Sequence, residues 1–331
     1  MSTRHGLGPH CVGQRVVVRR LLHGERGPSG GPAMTDLLGV MESWSDAATT
    51  VRAESGELIT IALADIVTGK PVPPRPSVRM RVSAEEAERH AVGSWPPLVS
   101  EPLGEWLLRA SDGFSSRANS VLAVGDPGCP FADALRAVRA FYADRSLPPW
   151  VQVVSGSELD RAFVDAGWVP ARPGEADTVF SLASVAAASR AVRRSARADV
   201  PVEVSTTADP AWLADDARAA ARPHAATGVL EGPDQVGFVS VRDGVRVIAK
   251  GRIGCGRDDD WAGITDVWVD PAHRREGLAL VVLGRLLGWA AERGVSTAYL
   301  QVRGDNEPAL ALYERLGFTP HHSYRYLVPG D

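Results

Sequence analysis

Cysteine is scarce. Cys11, Cys129 and Cys255 are the three in 331 residues, far apart in the chain, and no Cys-x-x-Cys pair occurs. Neither a zinc site nor a disulfide framework is indicated, no metal is expected, and a reducing compartment, the cytoplasm, is expected. Long apolar runs are missing too. None approaches the 18 residues of a membrane span, and the first residues, with His5, Gly6, Gly8 and His10, read as a flexible leader without an apolar signal core. Charge of one sign does not dominate: the net charge is −4, which makes nucleic acid an improbable partner. What remains is an ordinary globular balance, 44% hydrophobic and 23% charged, in a chain long enough for two or three domains.

Short β-branched stretches occupy residues 12–70: Gln14 to Leu22, Leu37 to Met41, Thr49 to Arg52 and Leu58 to Ile61. Turn residues separate them, which predicts a small β-barrel whose length and strand count resemble an SH3-like fold. The barrel is expected to be either a structural cap or a module that binds a protein partner. Pro71, Pro73, Pro74 and Pro76 follow as a stiff linker.

Residues 261–320 read strand, turn, helix, strand, turn, helix. The strand through Val267, Trp268 and Val269 is closed by Asp270-Pro271. Arg274-Arg275-Glu276-Gly277-Leu278-Ala279 then opens a helix with Leu278, Val282, Leu286 and Trp289 on one apolar face. A helix N-terminus with small residues and arginines offers free N–H groups and positive potential, and a pyrophosphate fits it. After the strand Thr297 to Val302, Asn306 is a candidate N-cap, Pro308 sits in the first turn of the last helix, and Gly317 ends it.

In this order and spacing, Val-Trp-Val-Asp-Pro, Arg-Arg-Glu-Gly-Leu-Ala, Asn306 and Ala311-Leu312-Tyr313-Glu314-Arg315-Leu316-Gly317-Phe318 resemble the GNAT N-acetyltransferase superfamily over about Val236 to Leu327. The resemblance implies that Val267, Trp268 and Val269 pair with the pantetheine arm of acetyl-CoA. It implies that Arg274, Arg275, Glu276, Gly277, Leu278 and Ala279 form the pyrophosphate loop, that Asn306 contacts the cofactor, and that Tyr313 protonates the departing thiolate. The acceptor amine also needs a base. Gln301 cannot serve. Asp266 is the nearest carboxylate, although strand alternation turns it away from Val267 and Val269 unless a bulge re-aims it, and His321 and His322 are further candidates.

A repeat precedes this segment. Glu158 to Pro170 aligns with Pro308 to Pro320, placing Phe163 at Tyr313, Gly167 at Gly317 and Trp168 at Phe318; Asp126-Pro127 aligns with Asp270-Pro271. The expected architecture is therefore α/β: a barrel at 12–70, a degenerate GNAT-like half at 79–183 and a catalytic GNAT domain at 200–331. The first half lacks the loop and the tyrosine. This layout resembles an actinobacterial group of tandem GNAT proteins, some assigned as N-acetylglutamate synthases and others as histone-type or protein acetyltransferases. A dicarboxylate would need cationic anchors, for which Arg109, Arg117, Lys250 and Arg252 are candidates with Asn119. Arg190, Arg193, Arg194 and Arg197 read as a solvated linker, and Pro210 to Arg222 as one helix. Three readings stay open: a small-molecule N-acetyltransferase with glutamate as lead acceptor, a protein lysine or N-terminal acetyltransferase, and a non-catalytic acyl-CoA-binding regulator.

Overall fold

The computed structural model describes residues 6–26, 32–72, 78–194, 197 and 199–330. Pro73, Pro74 and Pro76 of the expected linker, and most of the glycine-rich loop after Gly24, lie outside them. The chain divides into two compact units, residues 1–77 and 78–331.

The first unit is an antiparallel sheet in the order β4-β3-β2-β1-β5, built from β1 (Arg15–Arg26), β2 (Pro32–Trp44), β3 (Ala48–Ala53), β4 (Leu58–Ala62) and β5 (Ile66–Pro71). Alternate residues Val16, Val18, Met41, Val51 and Ile61 close on a common core, as period-2 patterning requires.

In the second unit, α1 (Ala84–Ser94) leads into β6 (Val99–Leu103), β7 (Trp106–Ala110), β8 (Val121–Leu122), α2 (Phe131–Ala143), β9 (Val151–Val154), α3 (Glu158–Asp165), β10 (Trp168–Pro170), β11 (Thr178–Ser184) and α4 (Val185–Arg193). The second half contributes β12 (Glu203–Ser205), α5 (Pro210–Leu213), α6 (Ala217–Ala221), α7 (Pro223–Leu230), β13 (Gln235–Asp243), β14 (Arg246–Cys255), β15 (Trp261–Val269), α8 (Leu278–Glu292), β16 (Thr297–Arg303), α9 (Glu307–Arg315) and β17 (Thr319–Pro329).

Both halves share one sheet, and they do so by exchanging strands. Its order is β12-β13-β14-β15-β16-β11-β17-β9-β8-β7-β6, with β10 on β17. β11, from the first half, inserts between β16 and the start of β17 in the second. The rest of β17 runs into the first half, where Tyr324 to Leu327 pair with Val154 to Val151 and Leu327 to Pro329 with β10. β17 carries a bulge at the crossing: His322 opposes Phe180, Pro320 opposes Ser181, and His321 is the extra residue. The bulge brings the two imidazoles together. His321 Nδ1 lies 2.8 Å from His322 Nδ1, His322 Nε2 lies 3.1 Å from buried Glu88 on α1, and His321 Nε2 lies 3.0 Å from the Val82 carbonyl.

α8 is the central helix of the second half. Leu283, Leu286 and Leu287 are fully buried on it, and Leu286→Ala should cost about 2–5 kcal/mol. Gly251 on β14 makes its approach possible, because a Cβ there would stand 2.7 Å from Val282 and 2.9 Å from Leu286. The arginine-rich connector is partly a packed helix: Ala188 and Val192 of α4 are buried in the same core as α8. Pro210 to Arg222 is broken. Asp209 caps α5, Asp216 caps α6 through the amides of Arg218 and Ala219, and Pro223 starts α7.

Candidate active site

β15 and β16 run parallel only from Trp261↔Thr297 to Ile264↔Leu300. Beyond that pair both strands continue without partnering each other, and the sheet splays. The cause lies on β15. Thr265 opposes Arg252 and Trp268 opposes Lys250, so Asp266 and Val267 together face the single residue Gly251. This is a β-bulge. Asp266 takes φ +52°, a left-handed conformation that Asp tolerates better than most residues. The bulge re-aims its carboxylate into the splay, as strand alternation alone would not. Oδ1 accepts from Arg218 Nη2 at 3.0 Å, while Oδ2 is buried without a partner among the described residues.

Two cavities meet there. One is lined by Ile264, Val267, Asn306, Pro308, Ala309 and Tyr313. The other, of about 580 Å³, lies between the halves and is walled by Trp95, Arg117, Trp150, Arg218, Tyr324 and Tyr326. Thr265, Asp266, Gln301 and Arg303 line both. Volumes of this order suit a small ligand.

At the first cavity, Tyr313 is 8% exposed, and burial pushes its phenol up to about 12. It therefore keeps its proton through neutral pH. Its hydroxyl makes no hydrogen bond among the described residues. Asn306 caps α9 through the amide of Ala309 at 3.4 Å and also lines the cavity. The loop before α8 turns through positive φ at Arg275 (65°) and Gly277 (81°). Arg274, Arg275 and Glu276 are exposed, and no side chain caps the helix. The amides of Leu278 and Ala279 are thus left for a ligand. A Cβ at Gly277 would meet nothing within 4 Å, so the space in front of the helix is open. This chemistry suits the diphosphate of a coenzyme A thioester. Of the strand predicted to receive its arm, Val267 lines the cavity and Val269 packs against the core beside it. Trp268 turns to the other face, where Lys250 Nζ lies 5.5 Å from its ring centre.

The first half has no such room. Phe163 is fully buried with Trp106, Phe131 and Trp168 at 5.1–5.5 Å. The loop before α2 is covered by the β6–β7 turn: Glu105 takes the amide of Asp126 at 2.7 Å, and a Cβ on Gly104 would strike Pro127.

The expected substrate anchors part company. Arg117 lines the second cavity. Asn119 lines it too, but its amide is spent on its own loop, accepting from Ser111 and Gly113 and donating to Phe114 and Ser115. Arg109, Lys250 and Arg252 are buried and hold the scaffold instead. Arg109 donates to Ser120 and Gln152. Lys250 donates to the Trp212 carbonyl under that residue's ring. Arg252 donates to Leu230 and Ser94 carbonyls, and burial lowers its guanidinium to about 10. Lys250 and Arg252 share a face, but it is packed against Trp95, Trp212 and Phe238. His321 meets the Val82 carbonyl and His322 meets Glu88, and neither is among the residues lining the two cavities. Sequence reasoning missed the aromatic wall of Trp95, Trp150, Tyr324 and Tyr326. Tyr324, whose hydroxyl donates to Gln301 at 3.0 Å, reaches the cavity only through the strand exchange.

Among the described residues no cluster of His, Cys, Asp and Glu could hold a metal, and no helix is long and apolar enough to cross a membrane.

Comparison with known proteins identifies the family. A family profile described as "Probable histone acetyltransferase Rv0428c C-terminal" matches residues 83–327, and "Rv0428c N-terminal Sm-like domain" matches residues 10–70. The chain is 28% identical to a protein of Mycobacterium tuberculosis named "Probable histone acetyltransferase Rv0428c", over 96% of this chain and 95% of that one. It is 27% identical to "Uncharacterized N-acetyltransferase YobR" of Bacillus subtilis, over 73% and 96%. The fold is similar to a GCN5-related N-acetyltransferase from Kribbella flavida, with a TM-score of 0.53 at 20% identity, covering 78% of this chain and 98% of that one. It is also similar to a tandem GNAT protein from the clavulanic acid biosynthesis pathway, with a TM-score of 0.50 at 14% identity, covering 64% and 76%. The fold implies acetyl-CoA as cosubstrate. The chain belongs to the Rv0428c family and is an acyltransferase enzyme of the GNAT N-acetyltransferase superfamily, with tandem GNAT folds behind a small Sm-like β domain.

Proposed function

We propose that the second half moves an acetyl group from acetyl-CoA directly to the primary amine of a small molecule, with an amino acid such as glutamate as the lead acceptor. The observation that carries this reading is the meeting of two cavities at Asp266 and Gln301, one beside Asn306 and Tyr313 and one between the halves. Acetyl-CoA supplies an activated acetyl thioester. Arg274 and Arg275, with the amides from Gly277 to Ala279, hold its diphosphate; Val267 and Asn306 line the path of its arm. Asp266 takes the proton of the acceptor ammonium, directly or through water, and Arg218 orients it. Tyr313 Oη holds the proton that the leaving sulfur needs.

A protein acceptor is the second reading. It is favoured by the histone acetyltransferase name of the mycobacterial relative and by a 60-residue match, 44% identical, to the Escherichia coli ribosomal protein bS18-alanine N-acetyltransferase. The small acceptor is favoured by the wall that Trp95, Arg117 and Trp150 of the first half add to one side of the cavity. A free-thiol release assay over glutamate, other amino acids, polyamines and lysine peptides tests the proposal. Turnover confined to the peptides would transfer it to the second reading, and acetyl-CoA binding without turnover of any amine would leave the regulator.

The β domain is proposed to be dispensable for cofactor binding, since its strands carry no loop of the required kind. A protein starting at residue 78 should bind acetyl-CoA within about tenfold of the full chain, roughly 1.4 kcal/mol, by calorimetry. A soluble but cofactor-blind product would show that the domain supports the site.

A further inference from the structure

Among the described residues four arginines line the cavity between the halves, and three of them already face carboxylates. Arg218 is paired with Asp216 and Asp266 at 2.7 and 3.0 Å. Arg303 is paired with Asp305 and Glu175 at 2.6 and 3.2 Å. Arg172 lies 3.8 Å from Glu175 and donates to Ser116 Oγ at 2.6 Å. Arg117 has no carboxylate within ion-pair distance among the described residues. Its Nη2 donates to Tyr324 Oη at 3.3 Å, its Nε is buried without a partner among the described residues, and its guanidinium lies 5.5 Å from the Trp95 ring centre. Nearby Arg109 and Arg252 are also buried, and their direct acceptors are neutral oxygens. A guanidinium that lines a cavity with no carboxylate at its fork is placed to pair with an anion that enters. The fork of an arginine suits a carboxylate in particular.

Its position relative to the reaction is set by a short chain of bonds. Arg117 donates to Tyr324, and Tyr324 donates to Gln301, the side chain shared by both cavities. Asp266 stands at the same junction. One wall of the acceptor cavity thus carries a site for an ammonium group and another a site for an anion.

We infer that Arg117 is the specificity determinant of the acceptor, and that it reads a carboxylate borne by the same small molecule as the reacting amine. This rests on the reading of the second half as an N-acetyltransferase. Polyamines and internal lysines, which offer no such anion, are disfavoured acceptors.

The experiment uses the full chain, wild type against Arg117→Gln and Arg117→Lys, in two arms. In the turnover arm, glutamate, aspartate, the monoamide glutamine, glutamic acid diamide and spermidine are compared by thiol release. The wild type should prefer the carboxylate-bearing amines over the diamide and spermidine by 10²-fold or more in kcat/KM. Arg117→Gln should raise KM for the preferred acceptor about 10²-fold, with a smaller change in kcat and an unchanged acetyl-CoA affinity. Arg117→Lys should recover part of the loss. Equal use of diamide and acid by the wild type, or an equal loss on every amine in Arg117→Gln, overturns the inference. The binding arm needs no catalysis: glutarate, which has no amine, is titrated by calorimetry into the coenzyme A complex. Saturable binding lost in Arg117→Gln supports the anion site even if no amine is acetylated, so failure of the acetyltransferase reading is told apart from failure of this one. Glutarate that does not bind the wild type, or binds the variant equally well, overturns it.

Discussion

Replacing Tyr313 by phenylalanine is expected to leave the fold and the acetyl-CoA affinity intact while slowing turnover by roughly 10²- to 10⁴-fold, the range for a positioned general acid. The fold should tolerate the change because the hydroxyl makes no hydrogen bond among the described residues, so removing it strands no partner. The molecule already carries the comparison: Phe163 occupies the same helix position in the first half and packs without difficulty. Burial raises the phenol to about 12, so it arrives protonated, and its proton is needed only as charge builds on the leaving sulfur. The loss should therefore fall on kcat more than on KM. Steady-state thiol release with the best acceptor measures it. Turnover within about threefold of wild type, with chemistry rate-limiting, would make Tyr313 a lining residue and assign the proton to water.

Gly277→Asp is expected to abolish acetyl-CoA binding. The substitution adds a negative charge in front of a helix N-terminus, where a diphosphate is to sit. A Cβ at this glycine meets nothing within 4 Å, so the new side chain starts into open space. The backbone cost of a positive φ is about 1–2 kcal/mol and smaller for Asp and Asn than for most residues. Gly277→Asn separates charge from strain, since it shares the geometry and lacks the charge. Calorimetry should show weakened binding for Asn and none for Asp. A stoichiometry of two cofactors per wild-type chain would refute the assignment of binding to the second half alone.

Local pattern was legible where local physics decides. The apolar face Leu278, Val282, Leu286 and Trp289 foretold α8, and Asn306 with Pro308 foretold the start of α9, because caps and periodicity act over a single turn. The repeat was legible through Phe163, Gly167 and Trp168, which mark the same helix end as Tyr313, Gly317 and Phe318. Side-chain fate was less so. Arg109, Lys250 and Arg252 look like anchors on a strand; whether such a cation faces ligand or scaffold depends on what packs over it, and here Trp95, Trp212 and Phe238 arrive from distant segments. The Asp266 bulge hinges on one extra residue opposite Gly251, which no alternation pattern announces. Nor does any composition reveal that β11 and β17 trade places, since a strand reads the same whichever neighbour it pairs with.

That trade has a kinetic side. Val151 of the first half finds its partner at Leu327, and Ser184 of the first half finds its partner at Thr297 of the second. Neither half of the shared sheet can be completed until nearly the whole unit is present, so the chain emerging from a ribosome holds unfinished edges. Contacts this distant in sequence slow folding and expose unpaired strands while they wait. The same wiring is expected to disfavour an intermediate in which one half stands complete and the other does not. Denaturant unfolding of residues 78–331 should then follow a single cooperative transition seen alike by the Trp106–Trp168 cluster and by Trp289, although those tryptophans belong to different repeats.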